Sequence, residues 1–331
     1  MKKSENKYKL VELFSGAGGM STGFKMAGYD VLLGVDHIPK FCETFEKNDK
    51  KAICKDIREL TIEDIRKEIG DVKVHVVSGG PPCQGFSHAG RRDQKDPRNS
   101  LFMDFVRIVA GLGPDVFVME NVPGILTMKT MNGELVKDII FAEFKKIRYQ
   151  VEVKKLLACD YGVPQKRKRV IFIGTRLNKE ITFPEPTHSK DPIIKPDGTK
   201  TEKWVGVSRV LLPREKVDES FFHSPRMIEG INRRKKANEK RGAGFGAQFL
   251  RPDEPSFTIS ARYWKDGSDA LVKYSETEMR MLTPEEAAAI QTFPKGYTFI
   301  GSKKDVYTQI GNAVPCLLAK AIAEEVKKIL N

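Results

Sequence analysis

The sequence lacks any long apolar run. Among its 331 residues, no stretch approaches the roughly 20 consecutive apolar residues that a helix needs to cross a bilayer. Residues 1–7 are polar and basic, so the apolar core of a secretory signal is missing as well. These absences predict a cytoplasmic protein with no membrane partner. The hydrophobic content of 40% is ample for a buried core, and the length allows one large domain plus a small one.

Cysteines are few, and acidic residues are outnumbered by basic ones. The five cysteines, Cys42, Cys54, Cys83, Cys159 and Cys316, lie far apart and include no C-x-x-C pair. Neither a zinc site nor a disulfide framework is indicated, so we expect reduced thiols and no metal. The 44 Asp and Glu are outnumbered by 57 Lys and Arg, which gives a net charge of +13. This excess suits a polyanionic partner, although many basic proteins bind no nucleic acid.

The first 176 residues alternate short β-rich apolar runs with amphipathic stretches, which is typical of a parallel sheet wrapped by helices. Strands are predicted over residues 9–14, 31–36, 52–56, 74–78, 116–120, 151–157 and 170–175. Helices are predicted over residues 19–27, 62–69, 101–112 and 135–147. The fold class is therefore expected to be α/β.

Beyond Arg176 this regular pattern fades. Five prolines interrupt residues 184–213, and periodicity returns only at about Thr283. The intervening part predicts a second domain that is small and irregular. Thr283 is a suitable N-cap, because proline follows it at the first helical position. A last helix is predicted over residues 316–330.

A glycine-rich turn follows the first predicted strand, where residues 14–19 read Phe-Ser-Gly-Ala-Gly-Gly. Glycines there let the backbone approach a ligand at a helix N-terminus. Asp36 ends the second strand, where an acid can accept hydrogen bonds from ribose hydroxyls, and Asp56 ends the third. The pattern predicts an adenosine-containing cofactor, with a purely structural turn as the alternative. Ser21 replaces the third glycine of the G-x-G-x-x-G fingerprint, which disfavours an NAD- or FAD-dependent oxidoreductase.

Two reactive side chains follow strands that end at one sheet edge. Cys83 lies in a loop beside Pro81 and Pro82 after the fourth strand, and Glu120 ends the fifth. Ligands bind at this edge of open α/β sheets. A thiolate that adds to carbon 6 of cytosine, beside an acid that hydrogen-bonds ring nitrogen 3, activates carbon 5 for methylation. A buried inert cysteine and an acid that caps a helix are the alternatives.

At these motifs the sequence resembles the cytosine-5 DNA methyltransferase family, of the prokaryotic restriction-modification type. Residues 14–19 are similar to the family's cofactor motif, 79–87 to its nucleophile motif, 120–122 to its acid motif, 165–169 to its Q-x-R-x-R motif and 309–315 to its closing motif. Five motifs in the family's order are highly specific. The resemblance implies a Rossmann-like S-adenosylmethionine-dependent methyltransferase sheet with a smaller, irregular target-recognition domain.

The resemblance also implies domain limits and a cofactor site. A catalytic and cofactor-binding domain would cover 1–184, a target-recognition domain 185–275, and a segment returning to the catalytic domain 276–331. S-adenosylmethionine is the implied cofactor, S-adenosylhomocysteine its product, and no metal is implied. The expected cofactor-binding residues are Phe14, Ser15, Gly16, Ala17, Gly18, Gly19, Asp36, His37, Asp56, Ile57, Pro81, Leu101, Asn312 and Ala313.

By the same resemblance, Cys83 would attack a cytosine that has left the duplex, and Glu120 would contact that base. Arg167 and Arg169 would lie near the base or its phosphates, with Arg167 helping to hold Glu120 and the cytosine. A guanidinium group binds carboxylate and phosphate bidentately, which agrees with these roles.

Double-stranded DNA is the implied partner. Residues 231–241 include six basic residues and one acidic residue. This composition suits phosphate contact as well as a solvated helix face. The expected DNA contacts in the polar loop after the nucleophile are Gln84, Ser87, His88, Arg91, Arg92 and Arg98. Those in the target-recognition segment are Arg233, Arg234, Gln248, Arg262 and Tyr263.

Two other functions stay open. One branch of the family methylates tRNA with the same motifs, so a tRNA cytosine-5 methyltransferase is an alternative. A non-catalytic DNA-binding homologue is another, although it would be expected to have lost Cys83 or Glu120. We expect a monomeric modification enzyme that protects host DNA from a cognate restriction endonuclease, its possible genetic partner.

Overall fold

The chain divides into two compact units. The structure is a computed structural model, which describes residues 8–48, 51–82, 100–130, 132–240 and 247–331. Unit 1 comprises Met1–Leu157, Lys168–Glu185 and Leu318–Asn331, and unit 2 comprises Ala158–Arg167 and Pro186–Leu317. Within the described ranges, no helix has the length and apolar character of a membrane span.

Unit 1 is built on a seven-stranded sheet. Its strands are β1 (Lys9–Leu13), β2 (Asp30–Asp36), β3 (Ala52–Cys54), β4 (Val76–Gly79), β5 (Val116–Asn121), β6 (Gln150–Leu157) and β7 (Lys168–Thr175). Their order is β3-β2-β1-β4-β5-β7-β6. The first five strands pair in parallel, whereas β7 is antiparallel to both β5 and β6. The sheet is therefore mostly parallel, and the expected α/β fold is confirmed.

The antiparallel end of the sheet departs from the wholly parallel pattern expected for these residues. Only residues 158–167 connect β6 to β7, and they contain a 3-10 turn at Ala158–Tyr161. A parallel pair needs a crossover connection of a dozen or more residues, usually a helix. The short link therefore returns the chain in the opposite direction.

Helices flank this sheet. They are α1 (Gly19–Met26), α2 (Pro39–Lys47), α3 (Ile62–Ile69), α4 (Ser100–Leu112) and α5 (Val136–Lys146). The sequence pattern alone does not predict α2. Pro39 occupies the first turn of α2, and Phe41, Cys42, Thr44 and Phe45 are its buried residues. These positions form one apolar face at helical spacing, which explains why the stretch is a helix.

Aromatic side chains fill the core of unit 1. The rings of Phe117 and Phe144 stack with centroids 3.8 Å apart, and Phe105 meets Phe117 edge to face at 6.2 Å. Gly174 makes room for Phe117, because a Cβ atom at Gly174 would lie 2.0 Å from its ring. Burying one such side chain stabilises the fold by about 1.5–3 kcal/mol. The core thus holds β5 and β7 in the register that positions their polar residues.

Unit 2 contains little regular strand. Its elements are β8 (His188–Ser189), β9 (Glu202–Lys203), α6 (Pro225–Lys240), β10 (Val272–Lys273), β11 (Met279–Arg280), α7 (Pro284–Ile290) and α8 (Lys303–Asn312). A last helix, α9 (Cys316–Leu330), begins in unit 2 and continues in unit 1. The second part of the chain is therefore irregular, as expected.

A buried ion pair organises the start of α7. Arg280 donates to both carboxylate oxygens of Glu286, at 2.7 and 2.8 Å, and both side chains are fully buried. Glu286 also accepts the backbone N–H groups of Thr283 and Leu212. The Thr283 hydroxyl in turn accepts the backbone N–H of Glu286, which completes a capping box. The expected Thr283 cap is confirmed.

The domain limits of 1–184, 185–275 and 276–331 stay a prediction. Division by contacts places residues 276–317 in unit 2 and residues 318–331 in unit 1.

Candidate active site

The turn after β1 has the backbone conformation that its glycines allow. Gly16 and Gly18 have φ angles of 53° and 78°, in the left-handed region that favours glycine. Phe14 also lies in that region, with φ 54°, which is uncommon for a bulky residue and marks a strained position. The backbone N–H of Gly16 donates to the Asp36 carboxylate at 2.9 Å. The end of β2 therefore holds the turn in place.

Glu12, which is not among the predicted site residues, anchors the other side of this turn. Glu12 lies in β1, is only 3% exposed, and accepts the backbone N–H of Ser21 at 3.0 Å. Ser21 belongs to the first turn of α1, whose N–H groups need acceptors. An acid inside an otherwise apolar strand was the available signal, because buried acids are rare without a partner.

A cavity of about 380 Å³ opens at the carboxyl edge of the sheet. Six of the predicted cofactor-binding residues line it: Phe14, Asp36, His37, Asp56, Ile57 and Leu101. Val35, Lys55, Arg58 and Pro82 line it as well and were not predicted. The volume lies within the range of small-molecule sites, and the lining combines apolar surface with two carboxylates.

The remaining predicted cofactor residues have other places. Ser15, Gly16, Ala17, Gly18 and Gly19 form the turn and the start of α1, and Pro81 follows β4. The Ser15 hydroxyl is buried and has no hydrogen-bond partner among the described residues. Asn312 and Ala313 lie in unit 2, at the end of α8. Their cofactor contacts stay a prediction.

The two carboxylates of the cavity differ in their electrostatics. Burial raises the pKa of Asp36, against the opposing effect of backbone N–H groups from Ile38 and Gly16. The hydrogen bonds from Arg58 lower the pKa of Asp56 to about 2. Arg58 Nε lies 3.0 Å from Asp56 Oδ1, and Arg58 Nη2 lies 2.5 Å from Oδ2. Asp56 therefore stays an ionised acceptor, suited to hydroxyl or amino donors.

The acid motif and the start of the nucleophile loop lie side by side. Gly79 of β4 pairs in register with Met119 of β5, so the residues that follow them are adjacent. The Asn121 side chain donates to the Pro81 carbonyl at 3.0 Å. A Cβ atom at Gly80 would lie 3.0 Å from Glu120 Oε2, so glycine leaves room for the carboxylate.

Cys83 and the loop after it fall outside the described residues. The same holds for Gln84, Ser87, His88, Arg91, Arg92 and Arg98. Pro82, which directly precedes Cys83 in the sequence, lines the cavity. The roles of these seven residues stay predictions.

Arg169, and not Arg167, pairs with Glu120. Arg169 Nε lies 2.5 Å from Glu120 Oε1, and the side chains are 12% and 13% exposed. The Nε–H has no aligned hydrogen-bond acceptor, so the contact is a close ion pair. Glu120 is opposite Ile171 in the antiparallel pairing of β5 with β7. Arg169 lies two residues before Ile171 and therefore shares its face of the sheet.

The expectation that Arg167 helps to hold Glu120 is corrected. Arg167 precedes β7, is 1% exposed, and donates to the carbonyl oxygens of Ile259 at 3.1 Å and Gly311 at 2.8 Å. These contacts lie within unit 2, where Arg167 links three distant chain segments. They indicate that Arg167 positions backbone. A catalytic role for either arginine stays a prediction.

The predicted DNA-contacting residues of unit 2 differ in exposure. Arg233 and Arg234 lie on the exposed side of α6, Arg262 is exposed, and Gln248 is half-buried. Tyr263 is 1% exposed, and its hydroxyl donates to the Ala270 carbonyl and accepts the Leu282 N–H, both at 2.7 Å. A DNA contact for Tyr263 is therefore corrected to a core role, because its ring and hydroxyl are enclosed by protein.

Among the described residues, no group of three or more His, Cys, Asp or Glu side chains is placed to hold a metal ion.

The fold of the chain matches a solved structure along its whole length. A putative DNA modification methyltransferase encoded within an E. coli prophage has a TM-score of 0.73 and 25% identity, with 98% of this chain and 100% of that chain covered. The mostly parallel sheet, with its cavity at the carboxyl edge, is that of a Rossmann-like S-adenosylmethionine-dependent methyltransferase.

Sequence comparison gives the family. Type II methyltransferase M1.HphI of Haemophilus parahaemolyticus is 38% identical, with 96% of this chain and 86% of that protein covered. Type II methyltransferase M.DdeI of Desulfomicrobium norvegicum is 36% identical, with 96% and 88% covered. The profile of the C-5 cytosine-specific DNA methylases matches residues 8–328. The chain belongs to this family, and the expected enzyme class, a DNA (cytosine-5-)-methyltransferase, is confirmed.

Proposed function

We propose that this enzyme transfers a methyl group from S-adenosylmethionine to carbon 5 of a flipped-out cytosine, within a specific short sequence of double-stranded DNA. The observation that carries the proposal is the position of Glu120. Its carboxylate is paired with Arg169 and adjoins Gly80, three residues before Cys83. An acid beside the nucleophile loop is the arrangement that activation of a cytosine ring requires.

The residues of the cavity fit the cofactor. Asp36 and Asp56 offer acceptors for ribose hydroxyls and for an adenine amino group. Ile57 and Leu101 supply apolar surface for the adenine ring. Ser15, next to the cavity residue Phe14 in the sequence, has a buried hydroxyl with no hydrogen-bond partner among the described residues. When bound, S-adenosylmethionine supplies an electrophilic methyl group on a sulfonium. The residues of this chain do the rest of the chemistry.

In the proposed mechanism, the Cys83 thiolate forms a bond to carbon 6 of the cytosine. Glu120, at ring nitrogen 3, stabilises the charge that develops on the ring, and Arg169 orients the Glu120 carboxyl group. The electron pair displaced to carbon 5 would form the new bond to the methyl group, while the bond from that methyl group to the sulfonium sulfur would break and leave S-adenosylhomocysteine. Loss of the carbon 5 proton then restores the double bond as the bond from carbon 6 to sulfur breaks. Cys83 leaves as a thiolate and the ring regains its aromatic character.

The cytosine has to leave the duplex, because carbons 5 and 6 cannot be reached inside a stacked helix. The exposed basic residues of α6, including Arg233 and Arg234, suit contact with DNA phosphates. Arg262 is exposed as well, and an arginine typically binds guanine when it contacts a base edge.

The biological setting follows from the relatives, which carry the name of Type II methyltransferases. We infer that the enzyme acts as a monomer in the cytoplasm and protects host DNA from a cognate restriction endonuclease. The net charge of +13 agrees with a DNA substrate.

Methyl transfer to DNA and to tRNA, measured side by side with the purified enzyme, tests the proposal. We expect incorporation into duplex DNA and none into tRNA. Bisulfite sequencing of DNA from cells that express the enzyme should then show one short sequence context with a protected cytosine. Methylation of tRNA alone would replace the proposal with the alternative substrate, and a lack of both would favour a non-catalytic homologue.

A further inference from the structure

Two cysteines lie next to residues that line the cavity, although neither lines it. Cys42 lies on α2, and Cys54 is the last residue of β3. The carbonyl oxygen of Asp36 accepts the Cys42 thiol at 3.4 Å and the backbone N–H of Lys55, the residue after Cys54, at 2.9 Å. Asp36 and Cys54 are also paired in register between β2 and β3. Asp36 of β2 therefore contacts the Cys42 thiol and pairs with the backbone at Cys54.

The two thiols differ in access to solvent. Cys54 is exposed, whereas the other three described cysteines, Cys42, Cys159 and Cys316, are buried. Burial raises the pKa of Cys42, and the neighbouring Cys54 thiol raises it further. Within the described residues, an external reagent would therefore meet Cys54 first, and Cys42 would be the adjacent second sulfur.

The residues around this pair also form the cavity. Lys55 and Asp56 follow Cys54 directly and line it, and Asp36 does so from β2. The Asp36 carboxylate holds the glycine turn through Gly16 N–H and the start of α2 through Ile38 N–H. A change in the distance between α2 and β3 would thus displace groups on the cavity wall.

We propose that Cys42 and Cys54 form a thiol modification site for small-molecule disulfides, and that closure of a Cys42–Cys54 disulfide weakens binding of the methyl donor in the adjoining cavity. The second part rests on the proposed function, because it assumes that this cavity binds S-adenosylmethionine.

The oxidant is a low-molecular-weight disulfide, and the reaction proceeds by two exchanges. The Cys54 thiolate attacks one sulfur of the oxidant, the S–S bond of the oxidant breaks, and one small thiolate leaves. Cys42 then loses its proton and attacks the Cys54 sulfur, which expels the second small thiolate. The protein loses two electrons and two protons, and the oxidant is reduced to two thiols. The Cys42 donor to the Asp36 carbonyl is lost in the process.

The test uses the Cys83→Ser protein, so that reaction at Cys83 does not contribute. Oxidised glutathione is the probe, and peptide mass mapping under non-reducing conditions identifies the bond. We expect a peptide pair joined through Cys42 and Cys54. Titration calorimetry with S-adenosylmethionine should show a Kd about tenfold weaker after oxidation, a loss of about 1.4 kcal/mol, and recovery after dithiothreitol.

The matched control is Cys83→Ser combined with Cys54→Ser, a conservative change at an exposed side chain. Its Kd should be the same before and after treatment. A glutathione adduct on Cys54 without the internal bond, or an internal bond with an unchanged Kd, would overturn the proposal. A reduced protein with no affinity for S-adenosylmethionine would count against the proposed function instead, and the peptide map distinguishes the two failures because it needs no ligand.

Discussion

Arg169 lies diagonally across from Glu120 on neighbouring antiparallel strands, with their charged atoms 2.5 Å apart. This pairing gives the acid at the sheet edge a fixed position, because Arg169 is the second residue of β7 and is paired in register with Leu156 of β6. Arg167, only two residues earlier in the sequence, precedes the strand and donates to carbonyls in unit 2. The two arginines of the same motif therefore have different partners: Arg169 pairs with the Glu120 carboxylate, and Arg167 binds backbone carbonyls.

Arg169→Gln should lower kcat for DNA methylation by about 100-fold, because the Glu120 carboxyl group loses the cation that orients it. Arg169→Lys should recover part of the rate, since it keeps the charge. Steady-state kinetics with varied S-adenosylmethionine should show little change in KM for the cofactor, as Arg169 does not line the cavity. If kcat stayed at the wild-type value and only the KM for S-adenosylmethionine rose, a role of Arg169 at Glu120 would be contradicted.

Arg167→Met should act mainly on stability. It removes the donors of two carbonyl groups in a buried place, and each unsatisfied group costs about 1–3 kcal/mol. We expect the free energy of unfolding, measured by urea denaturation, to fall by about 3 kcal/mol. An Arg167→Met protein with wild-type stability would show that the guanidinium is not needed to join these segments.

Asp56 makes the free energy of unfolding decrease at acidic pH. The pKa of Asp56 in the folded state, about 2, lies below the ordinary value of 3.8. The ionised carboxylate therefore contributes its full stabilisation of the fold above pH 3.8. That contribution is lost as the pH falls toward 2. Asp56→Asn should therefore reduce the proton uptake on unfolding in this window by up to about one proton, measured from the pH dependence of unfolding free energy. Arg58→Gln should give the same reduction, because the Arg58 bonds are the main cause of the shift.

Arg233→Ala together with Arg234→Ala should weaken DNA binding equally for specific and unrelated duplexes. Two lost phosphate contacts should reduce the slope of log affinity against log salt by about 2. Lys145→Ala with Lys146→Ala at the end of α5 is the control of equal charge change, and its slope should stay at the wild-type value. If the α6 double variant kept the wild-type slope, as the control should, α6 would not contact phosphate.

Much of unit 1 could be predicted from the sequence, because its strands are continuous apolar runs bounded by polar residues. The strand predicted over 116–120 is observed as Val116–Asn121, and that over 31–36 as Asp30–Asp36. The cavity residues Asp36 and Asp56 follow from the rule that ligands bind where parallel strands end. Local pattern and sheet geometry are sufficient for these features.

The errors lie where a side chain depends on distant parts of the chain. Which arginine meets Glu120 is set by the pairing of β5 with β7, strands that are not consecutive. Tyr263, in a glycine-containing loop, looked available to DNA, but its ring packs against Tyr307 with centroids 5.3 Å apart. Spacing along the sequence does not encode these relationships.

Covalent trapping of the enzyme on a duplex that carries 5-fluorocytosine at the target position tests the central claim most directly. With S-adenosylmethionine present, the wild-type enzyme should form a complex that survives denaturing electrophoresis, because fluorine at carbon 5 prevents the release of Cys83. Cys83→Ser should form no such complex and should transfer no methyl groups to the unfluorinated duplex. Methyl transfer by Cys83→Ser at the wild-type rate would contradict the account.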